Sequence, residues 1–243
     1  MTTLTAVPDL AAGTVTLTLV KTADVATLIR ADVNGTRPVR TRAGTFPSAG
    51  AGTLTITDHE AALTGLVVYR AAGLEAWTSF APGLLPRITL PFNPELTVPL
   101  DTVTVFNGSR PQSATVHEII GREDPIVVSA GMKSRRGSLE VIFDDYRQAA
   151  DVENMLKLGK TAMYRQSENP GQDFYFHPLT VEIEPDETCW KLSVGYVALR
   201  APAGDRAAYG WTFAALAALP GATFASVATG YESFQTLTIG DPA

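Results

Sequence analysis

The sequence holds one cysteine, Cys189, and three histidines in 243 residues. A single thiol excludes an intramolecular disulfide framework and a cysteine-built zinc site, and three imidazoles leave little material for a histidine-rich metal centre. No metal and no cofactor are therefore expected. Charge is also scarce, at 18% of residues, with 19 Lys plus Arg against 25 Asp plus Glu and a net charge of -6. Nucleic-acid-binding domains neutralise phosphates with clustered Lys and Arg. No such cluster is present, so no direct nucleic-acid recognition is expected. No segment reaches about 18 uninterrupted apolar residues. The start, residues 1–12, lacks a basic region followed by an apolar run. The expectation is no secretion signal and no membrane insertion.

The familiar catalytic signatures are missing as well. There is no Gly-x-Ser-x-Gly elbow and no glycine-rich phosphate loop, and His117-Glu118 continues as Ile119-Ile120 instead of completing a His-Glu-x-x-His metal motif. His177 lies near Asp173 and Tyr175, but no third ligand or nucleophile follows at a diagnostic spacing. Of the paired carboxylates, Asp144-Asp145 reads as a helix cap. Glu182 and Glu184 alternate with Val181 and Ile183 on an outward strand face, and Asp186-Glu187 reads as a turn. The chain is not expected to be an enzyme.

What is present is alternation. Residues 13–20 (Gly-Thr-Val-Thr-Leu-Thr-Leu-Val) and 52–57 (Gly-Thr-Leu-Thr-Ile-Thr) interleave Thr with apolar residues, placing Val15, Leu17 and Leu19 on one strand face. Residues 66–69 add a short strand, and Asn34-Gly35 and Ala49-Gly50-Ala51-Gly52 signal turns. Residues 24–31 fit a helix or a strand equally. A β-sandwich-like domain over 1–95 is expected. It closes in a proline-rich crossing segment, Pro82, Pro86, Pro91, Pro94 and Pro99, where missing amide donors disfavour a regular central strand. Charge divides near the same place. Residues 1–100 carry seven basic and seven acidic groups, so the whole net charge lies in the remainder.

A second region, 96–205, opens with the strand 101–106. Asn107-Gly108 follows as a hairpin signal before the strand-like 113–120, and further strands are expected at 126–128, 139–143, 161–165, 179–183 and 190–199. Between them the period changes. Ala149, Val152, Met155, Leu156 and Leu158 fall on one helical stripe that Gly159 ends, with Asp144 or Asp145 at its start, so a helix is expected near 145–158. The fold class is mainly β: a sandwich-like domain plus an antiparallel sheet or split-barrel scaffold with one packed helix.

The final stretch, 206–243, is rich in alanine and aromatics. Residues 212–222 are followed after eleven residues by a similar piece and then by Ser233-Phe-Gln-Thr-Leu, which spaces Phe213, Phe224 and Phe234 nearly evenly. Such short pieces cannot bury their own apolar faces, so a docking segment is expected; a plain alanine-rich connector is the alternative. Lys133, Arg135 and Arg136 form the strongest basic patch, beside Gly131 and Gly137, either as a solvated loop or as a subunit contact. Trp77, Phe80 and Phe92 flank the proline passage and either pack or stack on a sugar.

The span Val116-His-Glu-Ile-Ile-Gly-Arg-Glu-Asp-Pro-Ile-Val128, with Arg136-Gly-Ser-Leu-Glu-Val141 and the helix after it, resembles the minor tail proteins of long-tailed bacteriophages, especially those infecting actinobacteria. Cys189-Trp-Lys-Leu-Ser-Val194 falls in a late strand of that pattern. Trp211-Thr-Phe-Ala-Ala-Leu and Ala222-Thr-Phe-Ala-Ser-Val are similar to the repeated Thr-Trp-Ala-Asp-Leu tails of such proteins, with Asp missing and Phe in place of Trp. The resemblance covers roughly 110–243. It implies a tail-tube-like β domain over 96–205 and a virion structural protein of the distal tail or baseplate, joining the tube to host-recognition proteins. It further implies a homo-oligomeric ring, in expectation a hexamer, with other tail or baseplate proteins as partners, located in the virion tail after assembly in the host cytoplasm. The expected assembly contacts are Lys133, Arg135, Arg136, Trp211, Phe213, Phe224 and Phe234. The competing reading is a carbohydrate-binding adhesion module that contacts the host cell surface through Trp77.

Overall fold

A computed structural model describes residues 2–23, 25, 27–41, 50–81, 83–118, 123–124 and 126–202. The architecture is mainly β, with antiparallel sheets and a single helix among the described residues. The chain divides into two units, one drawn from Met1–Thr97 and Arg165–Asp173 with Pro202, the other from Val98–Tyr164 and Phe174–Ala201.

In the first unit, β1 (Thr3–Asp9), β2 (Thr14–Lys21) and β5 (Gly52–Asp58) form a sheet in the order β1-β2-β5. A second sheet runs β4-β3-β6-β7, from β3 (Ile29–Asp32), β4 (Gly35–Pro38), β6 (Gly65–Ala71) and β7 (Leu74–Phe80). The Thr-apolar alternation works as its period demands. Val15, Leu17 and Leu19 are at most 1% exposed and share one core with Ile56, Val67, Tyr69 and Phe80, so the two sheets bury a common sandwich interior. The ambiguous 24–31 stretch ends in β3, a strand. The proline-rich passage, expected to interrupt regular pairing, instead carries β8 (Arg87–Leu90), buried throughout, and β9 (Asn93–Pro99). The prolines sit where they cost no ladder bond: Pro86 and Pro91 flank β8, while Pro94 and Pro99 fall in β9 at the end of its sheet.

This core holds a charged network. Arg30 Nη1 donates to both Asp58 oxygens at 2.9 Å, Tyr69 donates its hydroxyl to Asp58 at 3.0 Å, and the Glu60 amide donates to Asp58 at 2.9 Å. Arg30 Nε lies 2.9 Å from Asp32, but its N–H is not aimed for a hydrogen bond, so that contact is coulombic. Burial opposes charge on both partners. The attraction and hydrogen bonds outweigh it, holding Asp58 below the usual carboxylate range and Arg30 above its ordinary value. Arg165 is also fully buried here, donating to the carbonyls of Gly13 and Ala61 at 2.9 and 3.0 Å and to the Thr89 hydroxyl at 3.3 Å. Burial lowers its pKa to about 10.

In the second unit, β10 (Thr102–Phe106), β13 (Arg136–Phe143), β16 (Cys189–Leu199), β15 (Phe174–Asp186) and β14 (Ala162–Arg165) run antiparallel in that order. Leu139, Val141, Phe143, Leu192 and Val194 are at most 1% exposed. Helix α1 (Tyr146–Leu156) packs on β13, β15 and β16. Asp145 caps it, accepting from the Arg147 amide at 2.9 Å, and Ala149, Val152, Met155 and Leu156 are its buried face. The stripe stops there, since Leu158 is 50% exposed and Gly159 turns left-handed at φ +65.

One expectation fails. The chain does not reverse at Asn107-Gly108, where neither residue has the positive φ that the usual Asn-Gly hairpin turn requires. β10 pairs with β13, while among the described residues β11 (Gln112–His117) pairs only with β12 (Ile126–Met132). Asn107-Gly108 instead carries the ribbon on, from the Asn107–Ser138 bond to the Ser109–Arg136 bridge. Gly137 faces it so closely that a Cβ there would overlap the Asn107 carbonyl oxygen.

Candidate assembly surface

The β11–β12 ribbon is an arm. Its strands pair with nothing else among the described residues, and five paired positions join Gln112–His117 to Ile126–Met132, an extent of roughly 20 Å at strand rise. Among the described residues its two edges are free and present unpaired amide and carbonyl groups, and a two-stranded ribbon alone in water is marginally stable. Val128 and Met132 are 60% and 67% exposed.

The root of the arm is fastened tightly. Asn107 N donates to Ser138 O at 3.1 Å, and the Asn107 side-chain oxygen accepts from the Ser138 amide and hydroxyl at 3.0 and 3.2 Å. Ser109 and Arg136 exchange backbone bonds at 2.8 and 2.9 Å, and Lys133 N donates to Pro111 O at 3.0 Å. Beneath lies an aromatic cluster. Phe174 stands 5.0 to 5.7 Å from Phe106, Tyr164 and Tyr196, and the Tyr196 hydroxyl reaches the Asn107 carbonyl.

The three basic residues separate in role. Arg135 lays its guanidinium 4.6 Å from the Phe106 ring centre and 5.8 Å from that of Phe174, and its Nε has no hydrogen-bond partner. Lys133 and Arg136 are exposed, as is Arg110 across the ribbon. At the other end, Glu118, Glu123 and Asp124 are exposed. The arm thus has a basic root and an acidic end.

Of the aromatics flanking the proline passage, Phe80 is buried and Phe92 lies beneath the Arg40 guanidinium at 4.7 Å, but Trp77 is 70% exposed. Trp211, Phe213, Phe224 and Phe234 lie outside the described residues. Glu182 and Glu184 face outward on β15, with Lys191 Nζ 3.2 Å from Glu184. Sequence reasoning missed the aromatic cluster and the Arg30–Asp58–Tyr69 network. The pair Phe174 and Phe176, two residues apart beside Tyr175, was the nearest signal for the former.

Among the described residues, no three His, Cys, Asp or Glu side chains are grouped to hold a metal ion, and no helix is long and apolar enough to cross a membrane. No family model matches the chain, and no curated protein matches it.

Proposed function

We propose that this chain is a structural protein of a bacteriophage tail, assembling as a ring at the distal tail or baseplate and joining the tube to host-recognition proteins. The observation that carries this reading is the free-edged arm with opposite charge at its two ends. A copy whose acidic arm end meets the basic root of the next makes a heterologous contact, and such contacts close into rings when the rotation allows. The free edges supply backbone pairing to a neighbour, and Val128 and Met132 supply apolar area. The residues that resemble phage minor tail proteins fall on this feature: Val116 and His117 in β11, Ile126 to Val128 in β12, and Arg136 to Val141 in β13. The mechanism is multivalent packing, and the chain does not turn over a substrate.

Sedimentation and negative-stain microscopy of the purified chain test it, together with incubation with phage tail tubes. The expected result is a closed ring that decorates one tube end. Replacing the arm between Pro111 and Lys133 with a short turn leaves a folded monomer. Lys133→Glu with Arg136→Glu weakens association at least about tenfold, the scale of steered charge contacts. A wild-type chain that stays monomeric at all concentrations and ignores tail tubes overturns the proposal.

A further inference from the structure

The outward face of the β4-β3-β6-β7 sheet carries a second surface, remote in sequence from the arm. Along β7 the side chains of Ala76, Thr78 and Phe80 are buried, so Glu75, Trp77 and Ser79 point the other way. Register places Val68 opposite Trp77, Leu66 opposite Ser79 and Arg70 opposite Glu75, with Ala31 beyond Val68 and Ile29 beyond Arg70. Trp77, at 70% exposed, therefore has Val68 opposite it, Leu66 and Ser79 to one side and an ion pair to the other.

That ion pair is half exposed. Arg70 Nε donates to Glu75 Oε2 at 3.2 Å, and both side chains keep more than half their surface in solvent, leaving further donors and an acceptor oxygen available. Beside it opens a groove of about 320 Å³, lined by Thr27, Ile29, Leu74 and the Ala72-Gly73 turn. Ligand sites of this size join apolar walls to a few placed polar groups.

We propose that this face binds a neutral oligosaccharide, with Trp77 as the stacking platform and Arg70 and Glu75 as the hydroxyl-binding groups. A pyranose ring has an apolar C–H face and a rim of hydroxyls, each both donor and acceptor. The indole matches the first. The guanidinium donates to the second and the carboxylate accepts from it. The two charges cancel across 3.2 Å, so this pair gives the described face no net pull on an anionic or cationic polymer. That balance selects a neutral sugar, and the groove has room for a ring next to the one stacked on Trp77.

The site stands apart from the assembly reading, and the experiment separates them. The full chain is titrated calorimetrically with tetrasaccharides of β-1,4-linked glucose, N-acetylglucosamine and mannose, and ring formation is followed in parallel by sedimentation. Saturable binding to at least one is expected, insensitive to salt. Trp77→Ala weakens it at least about tenfold, as for a central anchor side chain. Trp77→Phe retains part of it, Glu75→Gln and Arg70→Met each weaken it, and none of the four alters sedimentation or melting. No saturable binding, equal binding by Trp77→Ala, or binding abolished by high salt overturns the proposal. So does a Trp77 shielded from soluble quenchers by a second copy or by residues 203–243. A monomeric chain that still binds sugar through Trp77 sinks the ring alone.

Discussion

Tyr196, on a central strand of the second unit, donates its hydroxyl hydrogen to the carbonyl oxygen of Asn107 at 2.7 Å, where the arm leaves the sheet. The aromatic ring belongs to the core and is 1% exposed, while the bond it makes holds backbone at the arm's root. Tyr196→Phe keeps the ring and leaves the carbonyl unsatisfied, a cost of about 1–2 kcal/mol. Hydrogen exchange should quicken at 107–112 and 132–137 and stay unchanged in α1.

Gly137→Ala should be far more damaging than its size suggests. The new methyl meets the Asn107 carbonyl and the Gly108 backbone, neither of which can rotate away. Overpacking of this kind costs about 1–3 kcal/mol or more. Gly131→Ala, in the exposed arm with nothing within 4 Å of the added carbon, should change stability by less than about 0.5 kcal/mol. Equal losses in urea unfolding of the two variants contradict the close crossing.

Asp58→Ala leaves Arg30 charged and buried, without its bidentate partner and with only the weaker attraction of Asp32 and Glu60. Removing one partner of a buried pair costs about 3–5 kcal/mol. Because the Asp58 pKa is depressed on folding, its stabilisation is complete above the ordinary value of 3.8 and is lost as pH falls below it. The wild type should therefore lose stability steeply below pH 3.8, and the variant should lack that component.

Asp173 has the opposite sign. Burial raises it to about 6, against the bonds it accepts from the Gln166 amide at 3.0 Å and Asn34 Nδ2 at 2.7 Å, with Arg165 favouring its charge and Asp32 opposing it. In the folded chain its protonated form therefore persists up to about pH 6, above the range where a free carboxyl holds its proton. Stability from this group is full below 3.8 and is lost as pH rises from there to about 6, about 3 kcal/mol in all. Asp173→Asn should flatten thermal stability between these limits. A variant curve parallel to that of the wild type contradicts the assignment.

Local patterns were legible wherever one face is buried and the chain is regular. The alternation at Val15, Leu17 and Leu19 and the stripe from Ala149 to Leu156 both predict their elements, because burial selects one side at a fixed period. Asn107-Gly108 misleads because the same dipeptide also suits a place where two backbones nearly touch, and that demand comes from Gly137, thirty residues on. Arg30 and Asp58, 28 apart, carry no local signal of pairing; only the folded sandwich reveals them as a pair. The exposed side of β7 was readable from its alternation, but a tryptophan in a strand ordinarily packs, so its 70% exposure had to be seen.

Arg165 joins the first unit from far along the chain, 152 residues after Gly13, whose carbonyl it binds, and 104 after Ala61. During synthesis the ribosome has made both sandwich sheets long before it adds this side chain. Until then the Gly13 and Ala61 carbonyls wait without their donor. A nascent chain halted at residue 97 should accordingly be more protease-sensitive than the same residues in the finished protein, and the first unit reaches its final form only after most of the second has been made.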